Sequence, residues 1–316
     1  MNKLTLITLL FTLILGNGFC ASNLQEKVKF ASLEEAKELL RQEDDFTRSW
    51  SQFDIDSRMH KKNSSRKQLF ELIADQAREW SEKEVRKLQG IFKELDEQIV
   101  EQGYQLDFPE EIYFIKTTAK EEGGAGGYTR ANYVVLKDDI LSGPKAALKK
   151  IVVHELFHIL TRANPEFRQE MYQIIGFQLM NPVEYPDNLK PYRITNPDAP
   201  QTDSFLRLTV NGNPVDCMMV LYSSQGYNGG EFFKYLNVGF LQLEGDVEKK
   251  IFQTNGQPVI QTLQQVSGFF EQVGKNTQYI IHPEEIMADN FTYTLLNSSG
   301  LQNPEIVEEI KKILIR

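Results

Sequence analysis

The residues best suited to chemistry in this sequence form one short run, HELFH, at positions 154–158. Positions four apart on an α-helix differ by only about 40° around its axis, so the imidazoles of His154 and His158 would face the same way. Two imidazoles in that arrangement suit two of the ligands of a tetrahedral zinc ion. Glu155, next to the first histidine, could accept a proton from a water molecule at the metal. The run therefore predicts a helix that carries one catalytic zinc ion.

The residues around this run are strongly apolar, which strengthens the zinc hypothesis. They include Ile151, Val152, Leu156, Phe157, Ile159 and Leu160. The alternative is a pair of structural histidines in a core helix. Burying two imidazoles and a carboxylate without partners would cost free energy. A metal ion removes that cost, so the pattern favours a metal site.

A catalytic zinc ion needs a third protein ligand and leaves its fourth position for water. The sequence HPEEIMAD at 282–289 offers one, because proline at 283 suits the first position of a helix. Glu285 and Asp289 would then share a face. We expect Glu285 to bind the metal and Asp289 to accept the second ring N–H of a ligating histidine. Glu284 is turned by about 100° and is expected to point elsewhere; the alternative for this run is an acidic first turn that complements the helix dipole.

Acyl-transfer chemistry also needs a donor for the developing oxyanion. Tyr279 and His282 lie just before Glu285 and are the candidates, with a packed aromatic and a helix cap as their alternatives. Asp198, in the sequence NPDAP, is interpreted as a turn residue. Cys217 is interpreted as a small buried hydrophobic residue.

The elements that must position these residues follow from the periodicity. Residues 32–101 are predicted to be helical, with a capping box formed by Ser81 and Glu84. Two β-branched and aromatic runs, 112–117 and 133–136, are predicted strands separated by a glycine-rich turn. Further helices are predicted at 144–163, 166–175, 260–273, 283–296 and 305–316. Residues 182–200 are proline-rich and predicted to be irregular, and 206–210 and 215–222 flank a hairpin turn.

Composition narrows the class of protein. The 316 residues include 44 acidic and 35 basic side chains, a net charge of −9, and 41% are hydrophobic. An acidic chain is not typical of nucleic-acid binding, which concentrates Lys and Arg. The hydrophobic fraction is too high for a disordered chain. The composition indicates a globular protein of one large or two smaller domains.

The first segment is predicted to be a secretory signal peptide, residues 1–20. A positive start precedes twelve apolar residues, 4–15, which are too few to cross about 30 Å of hydrocarbon comfortably. Cleavage is expected near Cys20 or Ala21, and Phe19 stands where a lipid-modified Cys20 would need a small residue. We expect a secreted or periplasmic protein with no stable membrane span once the signal is removed.

The HELFH run at 154–158 and the EIMAD run at 285–289 together resemble the motifs of the gluzincin metallopeptidases, the thermolysin-like class. That family combines HExxH with a second motif, ExxxD, matched here at 285–289. The resemblance implies that His154, His158 and Glu285 bind zinc, that Glu155 is the general base, and that Asp289 orients a histidine. The metzincin pattern does not fit, because it needs glycine at 161 and histidine or aspartate at 164, where Thr and Asn stand.

The resemblance also implies a fold and an organisation. We expect an α+β, zincin-like fold in which a helical N-terminal region, 21–105, precedes a metallopeptidase domain, 106–316. A small sheet would pack on the HExxH helix, and substrate would lie along an edge strand within 128–136. Residues 159–284 separate His158 from Glu285, more than many family members have, so a β-containing insertion is expected at about 176–260. The C-terminal part should be helical.

The predicted function is that of an exported zinc metallohydrolase, most specifically a peptidase acting on a peptide or protein substrate. Two alternatives stay open at this point. One is a zinc hydrolase of a non-peptide bond, and the other is an inactive zinc-stabilised binding protein. The presence of Glu155 argues against the last, because a purely structural site needs no base and is usually closed by a fourth ligand.

Overall fold

The computed structural model describes residues 23–315. The predicted signal peptide lies outside the described residues. Within them, no helix is long and apolar enough to cross a membrane.

Residues 23–315 form eleven α-helices, several of them a single turn. The helices are α1 (Leu24–Lys27), α2 (Leu33–Arg41), α3 (Asp45–Arg48), α4 (Gln52–Arg58), α5 (Arg66–Asp75), α6 (Glu82–Gln102), α7 (Lys145–Ala163), α8 (Pro165–Ile174), α9 (Phe269–Val273), α10 (Pro283–Leu295) and α11 (Pro304–Leu314). The longest, α6, begins with the predicted capping box of Ser81 and Glu84 and ends at Gly103, whose φ of 68° suits glycine.

The same residues form fourteen strands, many of them two residues long. They are β1 (Val28–Phe30), β2 (Ala77–Arg78), β3 (Ile112–Thr117), β4 (Gly127–Arg130), β5 (Tyr133–Lys137), β6 (Gln178–Leu179), β7 (Ser204–Val210), β8 (Asn213–Tyr222), β9 (Asn237–Glu244), β10 (Lys250–Ile251), β11 (Gln253–Thr254), β12 (Gln257–Pro258), β13 (Ile260–Gln261) and β14 (Val266–Ser267). Helices and sheets alternate in blocks, so the chain has the mixed α+β architecture expected.

The first sheet contains five strands in the order β1-β3-β5-β4, with β2 also paired to β3. β1, β3 and β5 are parallel, whereas β4 pairs antiparallel with β5 and forms the edge of the sheet. The sequence predicts a helical N-terminal region, 21–105, and this prediction is wrong in part, because the region also contains two strands. The region supplies β1, which pairs parallel with β3, and β2, which pairs antiparallel with the end of β3.

Helices α7 and α10 pack together beside this sheet. Their shared core includes Leu148, Val152, Leu156, Phe157, Leu160, Ile286, Met287 and Phe291. The rings of Phe157 and Phe291 lie with centroids 5.3 Å apart. α10 begins at the predicted residue, Pro283, with His282 as its N-cap. This packing places the first turn of α10 against the middle of α7.

The second sheet lies between residues 178 and 267 and has the main order β10-β9-β8-β7-β14. Its β7–β8 hairpin turns at Asn211 and Gly212, whose φ angles of 49° and 79° are those of a type I′ turn. The prediction of this hairpin is confirmed, as is the largely irregular path of 182–200. The boundaries predicted for an insertion, 176–260, stay a prediction.

The helix predicted at 260–273 is wrong over its first half. Ile260–Gln261 pair with β9, and Val266–Ser267 pair with β7. The apolar residues of this segment recur at a spacing that fits a helix. In the structure they form short strands instead, because they pair with strands of the second sheet. Gly268, with φ of 86°, then starts the short helix α9.

Candidate metal centre

The candidate metal centre lies where α10 crosses α7. His154 and His158 are one turn apart on α7, and Glu285 comes from the first turn of α10. One ligand atom from each of the three residues lies within 4.8 Å of the other two. The fold thus brings together residues that the sequence separates by more than a hundred positions.

His154 is held from both sides by carboxylates of α10. Its Nδ1 lies 3.0 Å from Oδ1 of Asp289, and its Nε2 lies 3.0 Å from Oε2 of Glu285. The other oxygen of Asp289 accepts a hydrogen bond from the Thr277 hydroxyl. Burial lowers the pKa of His154, but the bonds to Asp289 and Glu285 outweigh it and raise that pKa well above 6.5. A second proton or a metal cation is thus favoured between Nε2 and Glu285.

His158 is fully buried, and its two nitrogens differ in their surroundings. Nδ1 donates to Oε1 of Glu284 over 3.1 Å. Nε2 has no hydrogen-bond partner among the described residues and lies 3.7 Å from Oε2 of Glu285. A buried ring nitrogen without a partner is costly, and a metal ion would satisfy it. With the proton on Nδ1, the lone pair of Nε2 is directed to the same place as that of His154.

Glu284 corrects the prediction that it points away from the centre. It is 2% exposed and accepts hydrogen bonds from His158, from the Thr161 hydroxyl at 2.5 Å and from the Tyr172 hydroxyl at 2.6 Å. Burial raises its pKa, but the hydrogen bond from His158 lowers it, so that the pKa of Glu284 lies below 4.5 overall. The 100° turn between Glu284 and Glu285 places them on the two sides of one imidazole instead of removing Glu284 from the site.

Glu285 is buried and is bound by more than the histidines. Its Oε1 accepts a hydrogen bond from Nδ2 of Asn196 over 2.5 Å. Burial raises the pKa of Glu285, but the His154 hydrogen bond and the charges of both histidines bring it down to about 2. The carboxylate is therefore ionised at neutral pH, which is the form that binds metals.

The donor set fits one zinc ion. Ligand atoms about 2.0–2.1 Å from a tetrahedral zinc ion lie about 3.3 Å from one another. The distances from Glu285 Oε2 to His154 Nε2 and to His158 Nε2, 3.0 and 3.7 Å, lie on either side of that value. Two imidazoles and one carboxylate are also the ligand types of catalytic zinc sites.

Glu155 follows His154 on α7 and is 4% exposed. Its Oε2 accepts a hydrogen bond from the Thr129 hydroxyl of β4 over 2.8 Å. A Cβ atom at Gly127 would lie 2.8 Å from Oε1 of Glu155, so that glycine lets the edge strand approach the carboxylate. Burial, followed by the charge of Asp198, raises the pKa of Glu155 to about 8. This carboxyl is thus set to exchange a proton near neutral pH.

Asp198 forms a turn, as predicted, but its carboxylate also enters the site. Its N–H donates to Oδ1 of Asn196, and its own Oδ1 accepts from the backbone N–H of Thr129 at 2.5 Å. Asp198, Glu155 and His158 form a second group whose ligand atoms lie within 4.8 Å of one another. Burial and the charge of Glu285 raise the pKa of Asp198 well above 3.8.

The two candidate oxyanion donors occupy different places. Tyr279 is 46% exposed, and its ring centroid lies 6.3 Å from that of His154; the charge of Glu285 is the main cause that raises its pKa. His282 caps α10, since its Nδ1 accepts the backbone N–H of Glu284 over 3.2 Å. Burial lowers the pKa of His282 to about 4 against the charge of Glu284, so the ring is neutral. Their predicted role as donors stays a prediction.

The sequence analysis did not predict that Thr129 and Asn196 belong to the site, nor did it predict the contacts of Glu284 and Asp198 there. Thr129 is an ordinary strand residue, and Asn196 sits in a proline-rich segment with no regular period. The one sequence feature that could have indicated them is a polar side chain close to a proline-rich turn or to the end of a strand. That signal does not say which helix they will face.

Comparisons of the chain with protein-family models, with curated proteins and with solved structures give no match.

Proposed function

We propose that this protein is a zinc-dependent hydrolase, most specifically a peptidase of the gluzincin kind. The observation that carries the proposal is the pair of imidazoles whose Nδ1 atoms each face a carboxylate, while both Nε2 atoms face Glu285. Such an arrangement orients lone pairs at one point, and the buried Nε2 of His158 is otherwise without a partner in the described chain. One zinc ion, held by His154, His158 and Glu285, would satisfy all three.

The chain's own residues supply the remaining parts of a hydrolytic site. A bound zinc ion polarises a scissile carbonyl and makes water more acidic. Glu155, held by Thr129, would take the proton of the attacking water and later pass it to the leaving amine. Tyr279, exposed beside His154, and His282 are proposed to donate to the oxyanion.

The edge strand β4 supports a peptide as substrate. It pairs with β5 on one side, and its Thr129 contacts the proposed base. An extended peptide adds to such an edge through backbone hydrogen bonds. A carbonyl aligned there would lie beside Glu155. Export by the predicted signal peptide is part of the same proposal.

A second candidate has its own support. Asp198 brings an additional carboxylate within 4.8 Å of His158 and Glu155. A fourth protein ligand would close the metal site, as in zinc sites that stabilise a fold without catalysis. An inactive zinc-stabilised binding protein is thus the alternative that an activity assay must separate, and a hydrolase of a non-peptide bond is the other.

Metal analysis and a cleavage assay test the proposal together. The purified protein should contain one zinc ion per chain and cleave members of a peptide library, with cleavage abolished by a chelator and restored by zinc. His154→Ala and His158→Ala should each lose zinc, whereas His60→Ala, far along the sequence, should keep it. Undiminished zinc in the first two variants would remove the hypothesis. One zinc ion without any hydrolysis would favour the binding protein.

A further inference from the structure

A short segment of the connection between β6 and β7 reaches into the proposed site. We call residues 195–199 the strap. Two of its side chains make the contacts: Asn196 donates to Glu285, and Asp198 accepts the backbone N–H of Thr129. The strap therefore contacts both the metal-ligand side and the edge-strand side of the site.

The bond from Thr129 matters because of where that N–H points. β4 pairs with β5 along one side, and successive backbone groups of a strand alternate between its two sides. The N–H that reaches Asp198 is directed away from β5, toward the side where an added strand would pair. A substrate strand beside Glu155 would need this donor, and Asp198 holds it.

Both ends of the strap are fixed to other elements. Thr195 is bound through its N–H by Asp54 at 3.0 Å and through its carbonyl by Arg58 at 3.2 Å, both on α4. Farther along, Arg162 of α7 donates to the carbonyls of Pro197 and Asp198 at 3.2 and 3.1 Å. The strap is thus held between α4 and α7, and the side chains of Asn196 and Asp198 contact the site.

The charges of the site oppose this arrangement. The Asp198 carboxylate is placed beside Glu155 and close enough to Glu285 for repulsion between them. Displacing Asp198 would free the Thr129 donor and move one of the three carboxylates away from the site.

We propose that the strap occupies the substrate's position on β4 and inhibits the enzyme until a peptide strand displaces it by pairing with β4. The inference rests on the proposed function. Asp198 is the side chain that holds the strap in place at the edge strand, and Arg162 holds its backbone. The closed form shown here is the resting form, and the active form has Asp198 withdrawn from Thr129.

The test compares Asp198→Ala with Asp187→Ala in the full-length mature protein. Asp187 lies in the same connection, but its side chain is fully exposed, so its removal leaves the site intact. Asp198→Ala should keep its zinc, and the backbone amide hydrogens of residues 127–130 should exchange with solvent faster than in the parent. Its kcat/KM on the peptide library should rise about tenfold, because the resting form loses one charge-assisted hydrogen bond. Asp187→Ala should match the parent in all three measurements.

The outcomes separate this inference from the proposed function. Suppose that the parent binds zinc and cleaves peptides, but that turnover in Asp198→Ala is unchanged or reduced. That result would overturn the strap inference and leave the proposed function standing. A reduced turnover would also show that Asp198 is needed for catalysis. Loss of zinc and turnover from parent and variants alike would defeat both. If Asp198→Ala fails to fold, Asp198→Asn decides: it removes the charge but keeps an acceptor for Thr129, and a smaller gain in turnover supports the inference, whereas no gain overturns it.

Discussion

At the scale of single residues, each histidine of the site is oriented by its own carboxylate. Asp289 faces Nδ1 of His154, and Glu284 faces Nδ1 of His158. Such partners fix the ring and its tautomer and make the other nitrogen a better ligand. Glu284 is further held by two hydroxyl groups, so its position is the more rigid of the two.

This pairing predicts that Glu284→Ala weakens zinc binding about as much as Asp289→Ala, by about 10–100-fold. The reason is that His158 loses the acceptor that keeps its proton on Nδ1. Competition with a chelating dye measures the affinity. Glu34→Ala, whose side chain is 83% exposed in α2, is the control and should bind zinc like the parent. An unchanged affinity in Glu284→Ala would show that its contact with His158 does not support the metal.

Glu155 gives a prediction that separates catalysis from metal binding. Glu155→Gln keeps an oxygen for the Thr129 hydroxyl but cannot accept a proton. Zinc content should be unchanged, whereas turnover should fall by about 100-fold or more. Parallel metal analysis and peptide-cleavage assays measure both. Turnover equal to that of the parent would show that another group is the base.

The sequence predicted that Glu285 and Asp289 share a face of α10 and would face the histidines of α7, because helical spacing fixes which side chains share a face. It could not predict the angle at which α10 crosses α7. That angle decides that both Glu284 and Glu285 reach His158 instead of Glu285 alone. It also could not predict that Asp198, 40 residues after His158, would lie beside it.

At the scale of elements, the local signals succeeded where a cap or turn residue defines the structure. Pro283 begins α10, Ser81 caps α6, and Asn211-Gly212 turns the hairpin. They failed at 260–267, where long-range pairing with β9 and β7 determines the conformation. Short strands of that kind are set by the sheet edges they meet, which a local pattern does not contain.

The connection between β3 and β4 carries a buried carboxyl that should make stability depend on pH. Oε1 of Glu121 accepts from the hydroxyls of Thr117 and Tyr128, and its Oε2 has no hydrogen-bond partner within the described chain. Burial raises the pKa of Glu121 from 4.5 to about 7 despite the Thr117 bond. The folded state therefore holds this proton more tightly than the unfolded state does.

It follows that the contribution of Glu121 to the free energy of unfolding is greatest below pH 4.5 and falls as pH rises toward about 7. The loss over that window should be about 3 kcal/mol and should level off above it. Urea unfolding at several pH values measures it as the difference between the parent and Glu121→Gln, which resembles the protonated acid at every pH. Equal pH slopes in the two proteins would contradict the prediction.

At the scale of the whole molecule, the N-terminal region is joined to the site by buried charges. Arg58 of α4 is 2% exposed at its side chain and pairs with Asp54 at 2.8 Å and with Glu122 at 2.7 Å. It also binds the carbonyl of Thr195, where the strap begins. Burial would lower the pKa of Arg58, but the charges of Glu122 and Asp54 raise it above its usual value. One guanidinium thus connects α4, the segment before β4 and the strap.

Arg58→Met should lower the free energy of unfolding by about 3–5 kcal/mol, because it leaves two buried carboxylates without their cation. The double variant Arg58→Met/Glu122→Gln should recover part of that loss, since one of the two charges is removed as well. Arg41→Met is the control: its pair with Glu71 is exposed, so its loss should cost about 1 kcal/mol or less. Urea unfolding of the parent, Arg58→Met, Arg58→Met/Glu122→Gln and Arg41→Met measures these differences, and the single variant Glu122→Gln completes the double-mutant cycle. A loss from Arg58→Met no larger than that from Arg41→Met would mean that the N-terminal region does not depend on this cluster. The expected loss would instead show that one buried charge cluster stabilises α4, the segment before β4 and the start of the strap together.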